Sequence, residues 1–425
     1  MAYLCTNLND MGKIIIKNIS IGDELLIGQV INTNAAWLGE HLSDAGFQLD
    51  STLTIGDSEK AILDAFNACM DADLVLVTGG LGPTADDITK PTVCKFFDTE
   101  LEFCQAAYDN VVSIFKRRGF QMSERNKGQA YLPKACQYIP NTYGTAPCMW
   151  LEKNGVVFAF MPGVPYEMKG IFNDELLPRI KERFQAVPYE KRVIMTTGIG
   201  ESFLADKIKD WEEALPAFLS LAYLPQYGMV RLRLSGRHEN ADLLHATLDE
   251  EVEKLKQLIS EYIFAMQDQP IERTVFDLLI NRGKTFASAE SCTGGNIAHV
   301  ITLIPGSSEV FKGTAVTYAT PMKTKVLGVP AETIEHYGVV SQQVVEGMAK
   351  GVRDLMEADF GVATTGVAGP SGGTEENPVG TVWIGVASAD EVVSQRFNFG
   401  KDRENVINRA TIMAYEMLRR QILSE

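Results

Sequence analysis

Between residue 11 and about residue 170, short apolar runs alternate with amphipathic helical stretches, and the same alternation returns at Thr274 and continues to the end of the chain. Lys13–Ile19, Leu49–Ile55, Asp73–Thr78 and Val156–Met161 read as strands. Asn34–Gly46, with Trp37, Leu38 and Leu42 on one side, and Ser58–Met70 read as helices. Strand, helix, strand at these lengths implies βαβ units and a largely parallel sheet. The stretch between the two alternating regions has a different texture. Charge density rises, and the order becomes a strand (Arg192–Thr197), a helix (Glu201–Leu215), paired strands (Leu219–Leu224 and Val230–Ser235) and a helix (Ala241–Ile259). That is a small α+β module, and its acidic helical faces suit a spacer or a dimer surface. The last helix, Asp402–Leu423, sets Val406, Ala410, Met413 and Met417 along one core-facing stripe. The expected division is 11–175, 176–262 and 270–425, with Met1–Asp10 as a loose extension.

The 425 residues suggest about two to four domains. Formal net charge is −16, which argues against a general nucleic-acid binder. Seven scattered cysteines, with no Cys-x-x-Cys pair, and five histidines in no ligand spacing point to a reducing cytoplasm and against a disulfide or zinc framework. No apolar run reaches membrane-spanning length, and no signal-peptide pattern is present, so neither a membrane nor a nucleic-acid partner is expected.

Two constellations carry chemistry. In the first region, the strand ending at Thr78 runs into Gly79-Gly80-Leu81-Gly82-Pro83-Thr84-Ala85-Asp86-Asp87. A glycine-rich turn after a parallel strand lets backbone N–H groups approach phosphate oxygens, and adjacent carboxylates can hold a divalent cation beside them. Thr84 followed three residues later by Asp87 is equally a capping-box-like pattern, which would make Asp87 a helix cap. Asp23 and Glu24, at another strand-to-helix junction, suit a metal or a ribose, or simply the charge preference of a helix N-terminus.

In the last region, Ala289-Glu290-Ser291-Cys292-Thr293-Gly294-Gly295 follows an apolar run and precedes a helix-like stretch. A hydroxyl nucleophile placed there has free N–H groups of the first helical turn nearby to hold an oxyanion or a phosphate. Tyr318 and Lys323 follow, the two residue types that can deprotonate a serine without a histidine. Each has a plainer reading: Ser291 as a helix cap, Tyr318 as core, Lys323 as solvated surface. Cys292 competes with Ser291 as nucleophile.

The texts GDELLIGQVINTN, VTGGLGPTADDITKP and PGVPYEMK, with Asn141, Gly144, Thr145, Ala146 and Pro147, resemble the molybdopterin-binding-like domain at the front of CinA-family proteins. AESCTGG, IPGSSEVFKGTAVTYATPMKTKVLGV and TTGVAGPSGGTEENPVGTVWIGV resemble the family's C-terminal domain, which is similar to nicotinamide mononucleotide (NMN) deamidases. The middle module resembles the family's KH-type domain. Its Gly198-Ile199-Gly200-Glu201 loop has an acidic flank, so RNA binding is not expected.

The resemblance implies a bifunctional enzyme of pyridine-nucleotide salvage, a homodimer in the cytoplasm. The front domain would hydrolyse ADP-ribose to AMP and ribose 5-phosphate with Mg, Mn or Co. There Asp86 and Asp87 would be metal-binding or catalytic, Gly80, Gly82 and Thr84 would cradle the diphosphate, and Asp23, Glu24 and Asn34 would contact nucleotide or metal. The back domain would convert NMN to nicotinate mononucleotide without a cofactor, with Ser291 as nucleophile assisted by Tyr318 and Lys323. Thr293 and Gly294 join the substrate contacts there. Thr365, Gly366, Gly369, Gly372 and Gly373 form a candidate phosphate loop, and Arg403 is a candidate clamp. Two departures stand out: Cys148 where the family pattern has glycine, and Ala319-Thr320-Pro321-Met322 between the tyrosine and the lysine. The alternatives are a pterin-binding protein of molybdenum-cofactor assembly and a non-enzymatic interaction protein linked to competence or DNA damage.

Overall fold

The computed structural model describes residues 14–84 and 87–425. They form two compact units: one extends to Glu190 and takes in Arg237–Leu244, and the other comprises Lys191–Gly236 and His245–Glu425.

The first unit is built on a six-stranded sheet in the order Leu49–Ile55, Ile16–Ile21, Leu74–Thr78, Val156–Met161, Cys148–Lys153, Gln137–Ile139. The first four strands run parallel and the last two antiparallel. Alternate side chains of one strand enter different cores. Leu74 and Leu76 join Val157 and Ala159 on one face, while Val75 and Val77 join Phe158 and Phe160 on the other. A strand buried on both faces reads as a continuous apolar run, as Leu74–Thr78 does.

The helices Thr33–Asp44 and Glu59–Ala68 start one residue after Asn32 and Ser58, whose side chains accept from Ala35 N and Ala61 N. The first strand is Ile16–Ile21 rather than Lys13–Ile19; Lys13 and Met1–Asp10 lie outside the described residues.

A four-stranded sheet follows, ordered Leu219–Gln226, Met229–Arg237, Tyr189–Thr197, Ile263–Ala265. The first two strands form the expected antiparallel pair. Glu201–Glu213 and Ala241–Ile259 are its helices. Trp211 Nε1 donates to the buried Glu251 carboxylate at 2.8 Å and ties one helix to the other.

The last region forms a five-stranded sheet ordered Phe311–Val316, Phe286–Glu290, Phe360–Gly366, Thr381–Ala387, Val392–Asn398. Its first three strands are parallel and its last two antiparallel. Phe286, Phe360, Val362 and Ile384 share a core with Val275 and Leu279 of the helix Ile271–Arg282 and with Val406, Ala410 and Met417 of Arg403–Ser424. The opposite face carries Ala287, Ala289 and Ala363 against Val345, Met348 and Val352 of the helix Gln342–Leu355. The helix comes very close there: a Cβ on Gly361 would lie 2.1 Å from Ala349 O. Among the described residues no helix is long and apolar enough to cross a membrane.

Candidate active site

The carboxyl ends of parallel strands are where open α/β sheets place ligands. Both α/β sheets have a cavity there. In the last region the strands ending at Glu290, Val316 and Gly366 open onto a cavity of about 920 Å³, within the range of small-molecule sites. Ser291, Tyr318, Lys323, Thr365, Gly366, Gly369, Gly372 and Arg403 all line it.

Lys323 is fully buried, contrary to its surface reading. Its Nζ lies 3.1 Å from Ser291 Oγ and donates to Thr317 O at 2.7 Å. Burial pushes the amine below its usual pKa of 10.5. An amine that sheds its proton more readily, in contact with a hydroxyl, is the arrangement a serine nucleophile needs. Pro321 does not disturb it. The helix is Thr320–Leu327, Pro321 occupies its first turn where no intrahelical N–H is required, and Lys323 follows on that turn.

Tyr318 is 59% exposed, so it is no core residue. Its Oη accepts from Arg403 Nη2 at 2.7 Å, and Arg403 Nη1 donates to Gly369 O at 2.7 Å. Arg403 is therefore tethered beside Tyr318 instead of pairing with Asp402, which caps the last helix through Asn405 N. Cys292 is 6% exposed, and burial pushes its thiol up to about 12. A thiol that holds its proton this tightly is a poor nucleophile at neutral pH, so the geometry favours Ser291.

One expectation is corrected. The first-turn N–H groups of the helix Asn296–Thr302 are not free for a substrate. Gly295 N, Ile297 N and Ala298 N donate to the fully buried Glu290 carboxylate at 2.9, 3.1 and 3.0 Å. Glu290, not Ser291, caps this helix. Thr293 and Gly294 stand outside the cavity wall: the Thr293 hydroxyl is 2.8 Å from that of Thr364, and Gly294 N closes a turn onto Ser291 O. Gly373 is also absent from the wall; it is an exposed residue where a Cβ would lie 2.7 Å from Val379 N.

In the first unit, strands ending at Ile21, Thr78 and Met161 open onto a cavity of about 470 Å³. Gly80, Gly82, Glu24 and Asp87 line it. Gly79 and Gly80 have φ of 107° and 63°, and a Cβ on either would lie 2.1 Å from Ile21 O or Thr89 Oγ1. Only glycine makes this turn.

Asp87 is not a helix cap, because the next helix begins at Thr89. Its carboxylate accepts from Gly82 N at 2.7 Å, from Thr84 N at 2.9 Å and from the Thr84 hydroxyl, and so closes the glycine-rich loop on itself. Thr84 thus braces the loop from outside the wall. Asp23 also stands outside it: Asp23 Oδ1 accepts from Asp57 N and Asp57 Oδ2 from Asp23 N. Asn34 lies behind the wall and donates to Gly163 O at 2.7 Å. Asp86 lies outside the described residues.

Family models match three consecutive segments: a "Probable molybdopterin binding domain" over residues 17–182, the "Damage-inducible protein CinA KH domain" over 191–265, and the "CinA C-terminal domain" over 268–422. A "CinA-like protein" of Cytophaga hutchinsonii is 42% identical over 405 residues, covering 95% of this chain and 97% of its own. The chain belongs to the CinA family. A second "CinA-like protein", from Flavobacterium psychrophilum, is 42% identical over 411 residues, with coverage of 95% and 98%. A crystal structure of "competence/damage inducible protein CihA" from Agrobacterium tumefaciens is 37% identical, covers 35% of this chain and 92% of its own, and gives a TM-score of 0.35.

Several residues of these CinA-family cavities lie outside the sequence-based set. Asp57, Gln129 and Glu167 line the front cavity, and Trp383 and Arg396 the back one. Glu167 Oε2 accepts from the buried Asn141 amide at 2.7 Å, while burial pushes its carboxyl up. Lys90, buried beneath the front loop, donates to Gly128 O, and burial pushes it down to about 8. Cys148 does not tighten the front cavity. Its side chain is absent from that wall and is buried in the core with Leu38, Ile139 and Met168. Glu290 invites a direct test. Glu290→Ala leaves three first-turn donors without their acceptor and is expected to cost roughly 2–4 kcal/mol of stability, seen as a lower urea midpoint.

Proposed function

We propose that this chain hydrolyses two pyridine-nucleotide metabolites: NMN at the back site, giving nicotinate mononucleotide and ammonia, and ADP-ribose at the front site, giving AMP and ribose 5-phosphate. The observation that carries the first activity is the buried Lys323 amine 3.1 Å from Ser291 Oγ at the floor of a nucleotide-sized cavity.

Neutral Lys323 takes the Ser291 hydroxyl proton as Oγ attacks the carboxamide carbon. Tyr318 Oη, which accepts from Arg403, keeps its own O–H to donate to the developing oxyanion. The carbon–nitrogen bond breaks, and Lys323 returns the proton to the departing ammonia. Water, deprotonated by the same amine, cleaves the resulting ester and frees the carboxylate.

At the front, the glycine-rich loop presents backbone to the diphosphate. Glu167, positioned by Asn141, is placed to take a proton from attacking water. Among the described residues no three His, Cys, Asp or Glu side chains form a ready metal cage. Mg²⁺ commonly binds through one or two carboxylates plus substrate phosphates, and Asp57 and Asp87 on the cavity wall fit that mode. A divalent ion held there would neutralise charge on the diphosphate. The homodimer and the cytoplasmic setting belong to the same proposal. The description of the front family model favours a second reading of that domain, pterin binding, which would show as pterin affinity without ADP-ribose cleavage.

The deciding experiment is ammonia release from NMN by the purified chain with EDTA present. Release with chelator supports the back-site reading, and a folded enzyme that releases none refutes it. For the front site, Asp87→Ala opens the loop and is expected to lower ADP-ribose cleavage by about 10²-fold or more. Ammonia release should stay at the wild-type rate, and AMP chromatography alongside an ammonia assay checks both.

A further inference from the structure

The back sheet lines up four cavity residues across its strands. Ser291 N donates to Thr364 O at 3.2 Å and extends the Glu290–Thr364 register by one residue. Ser291 thus stands beside Thr365, Thr365 is paired with Trp383, and Trp383 with Arg396. All four line the same cavity. Paired residues point to one face of a sheet, so the row is a track that leads away from the nucleophile. With strands about 4.8 Å apart, Arg396 stands roughly 14 Å from Ser291.

Trp383 is partly packed into the alanine-rich core under the track, which fixes its indole as a wall midway. Arg396 is exposed at the far end and gives Nη2 to Glu376 O, leaving other donors of its five-donor fork toward the cavity. Arg403, by contrast, is fastened at the reacting end by Tyr318 and Gly369. The acidic residue Glu376 also lines the cavity, so an anion near Arg396 is held by directed donors rather than by net positive field.

We infer that Arg396, not Arg403, is the residue that binds the substrate's 5′-phosphate, with Trp383 supporting the sugar and ring between phosphate and carboxamide. This rests on the proposed NMN deamidase activity and names its specificity determinant.

The test compares NMN with nicotinamide riboside, which lacks only the phosphate, in wild type, Arg396→Gln and Arg396→Lys. Arg396→Gln is expected to raise KM for NMN about 10–100-fold, to leave kcat within a few-fold, and to leave kcat/KM for the riboside unchanged. Arg396→Lys, which keeps the charge but not the fork, should restore part of the preference for NMN. If Arg396 only pins the loop at Glu376, Arg396→Gln will impair both substrates equally, and the inference falls. It falls too if neither substrate is affected. If wild type releases no ammonia at all, the deamidase reading fails separately. Calorimetric binding of NMN and riboside to wild type and Arg396→Gln then decides the phosphate site: selective loss of NMN binding supports it, and equal binding overturns it.

Discussion

Ser291→Ala is expected to lower ammonia release from NMN by about 10³–10⁶-fold, the range seen when a serine hydrolase loses its nucleophile. The substitution removes one oxygen, which lies 3.1 Å from Lys323 Nζ. The cavity wall is otherwise retained, so KM for residual turnover and binding of NMN should change little. ADP-ribose cleavage, proposed for the other sheet, should be unaffected. Cys292→Ala is the necessary companion. Its thiol is held protonated by burial up to about 12, so its removal should leave activity within a few-fold. Near-normal activity in Ser291→Ala together with an inactive Cys292→Ala would transfer the nucleophile to the thiol and sink the serine mechanism. Mass spectrometry of wild type quenched during turnover should show an acyl adduct on the peptide carrying Ser291, and Ser291→Ala should show none.

Much of the scaffold was legible because its signals are local. Leu49–Ile55, Val156–Met161 and Ala241–Ile259 occupy the residues their periodicity marks. The antiparallel strand Cys148–Lys153 was not read, although its turn carries a strong signal. Asn154 and Gly155 both have positive φ (53° and 84°), as a type I′ two-residue hairpin turn requires, and Asn-Gly is the pair that best tolerates it. The glycine-rich loop was legible as a loop, but the use of Asp87 was not. The Thr84–Asp87 spacing fits a capping box, yet the helix starts later, so the carboxylate turns back onto Gly82 and Thr84.

The back site divides in the same way. Ser291, Tyr318 and Lys323 stand out by residue type near strand ends. Glu290 reads as the polar end of a strand, and nothing in its spacing says that its carboxylate will reach past Gly294 to cap the following helix. Arg396 sits on an edge strand whose other exposed residues look like ordinary surface. Its place in the cavity comes from pairing with Trp383, which comes from pairing with Thr365, and strand register is a long-range property that one-dimensional periodicity does not contain.

Lys323→Met separates the chemistry from the fold, and its two effects should have opposite signs. As base, Lys323 must be neutral, so kcat/KM should rise with pH through its pKa in the free enzyme. Burial lowers that pKa, which places the rising limb below the usual 10.5. Lys323→Met and Lys323→Arg should both lose about 10³-fold or more in kcat and lose the limb altogether, since neither can accept the proton.

The linkage follows from the same shift. Between the lowered folded pKa and 10.5, the unfolded chain binds a proton that the folded chain does not, so this residue makes stability rise with pH across that window. Below the window the folded protein carries the cost of a buried ammonium held by Ser291 Oγ and Thr317 O. Methionine fills a similar volume without that cost. Lys323→Met is therefore expected to be as stable as wild type or more so at pH 7, and to lose the pH-dependent gain in the window below 10.5 in urea titrations. An inactive variant with an undiminished or raised midpoint means that the buried lysine is retained for its basicity and not for its packing. A Lys323→Met variant that unfolds earlier at pH 7 would show the amine holding the fold through Thr317, and a variant that keeps the rising limb would remove Lys323 as the base.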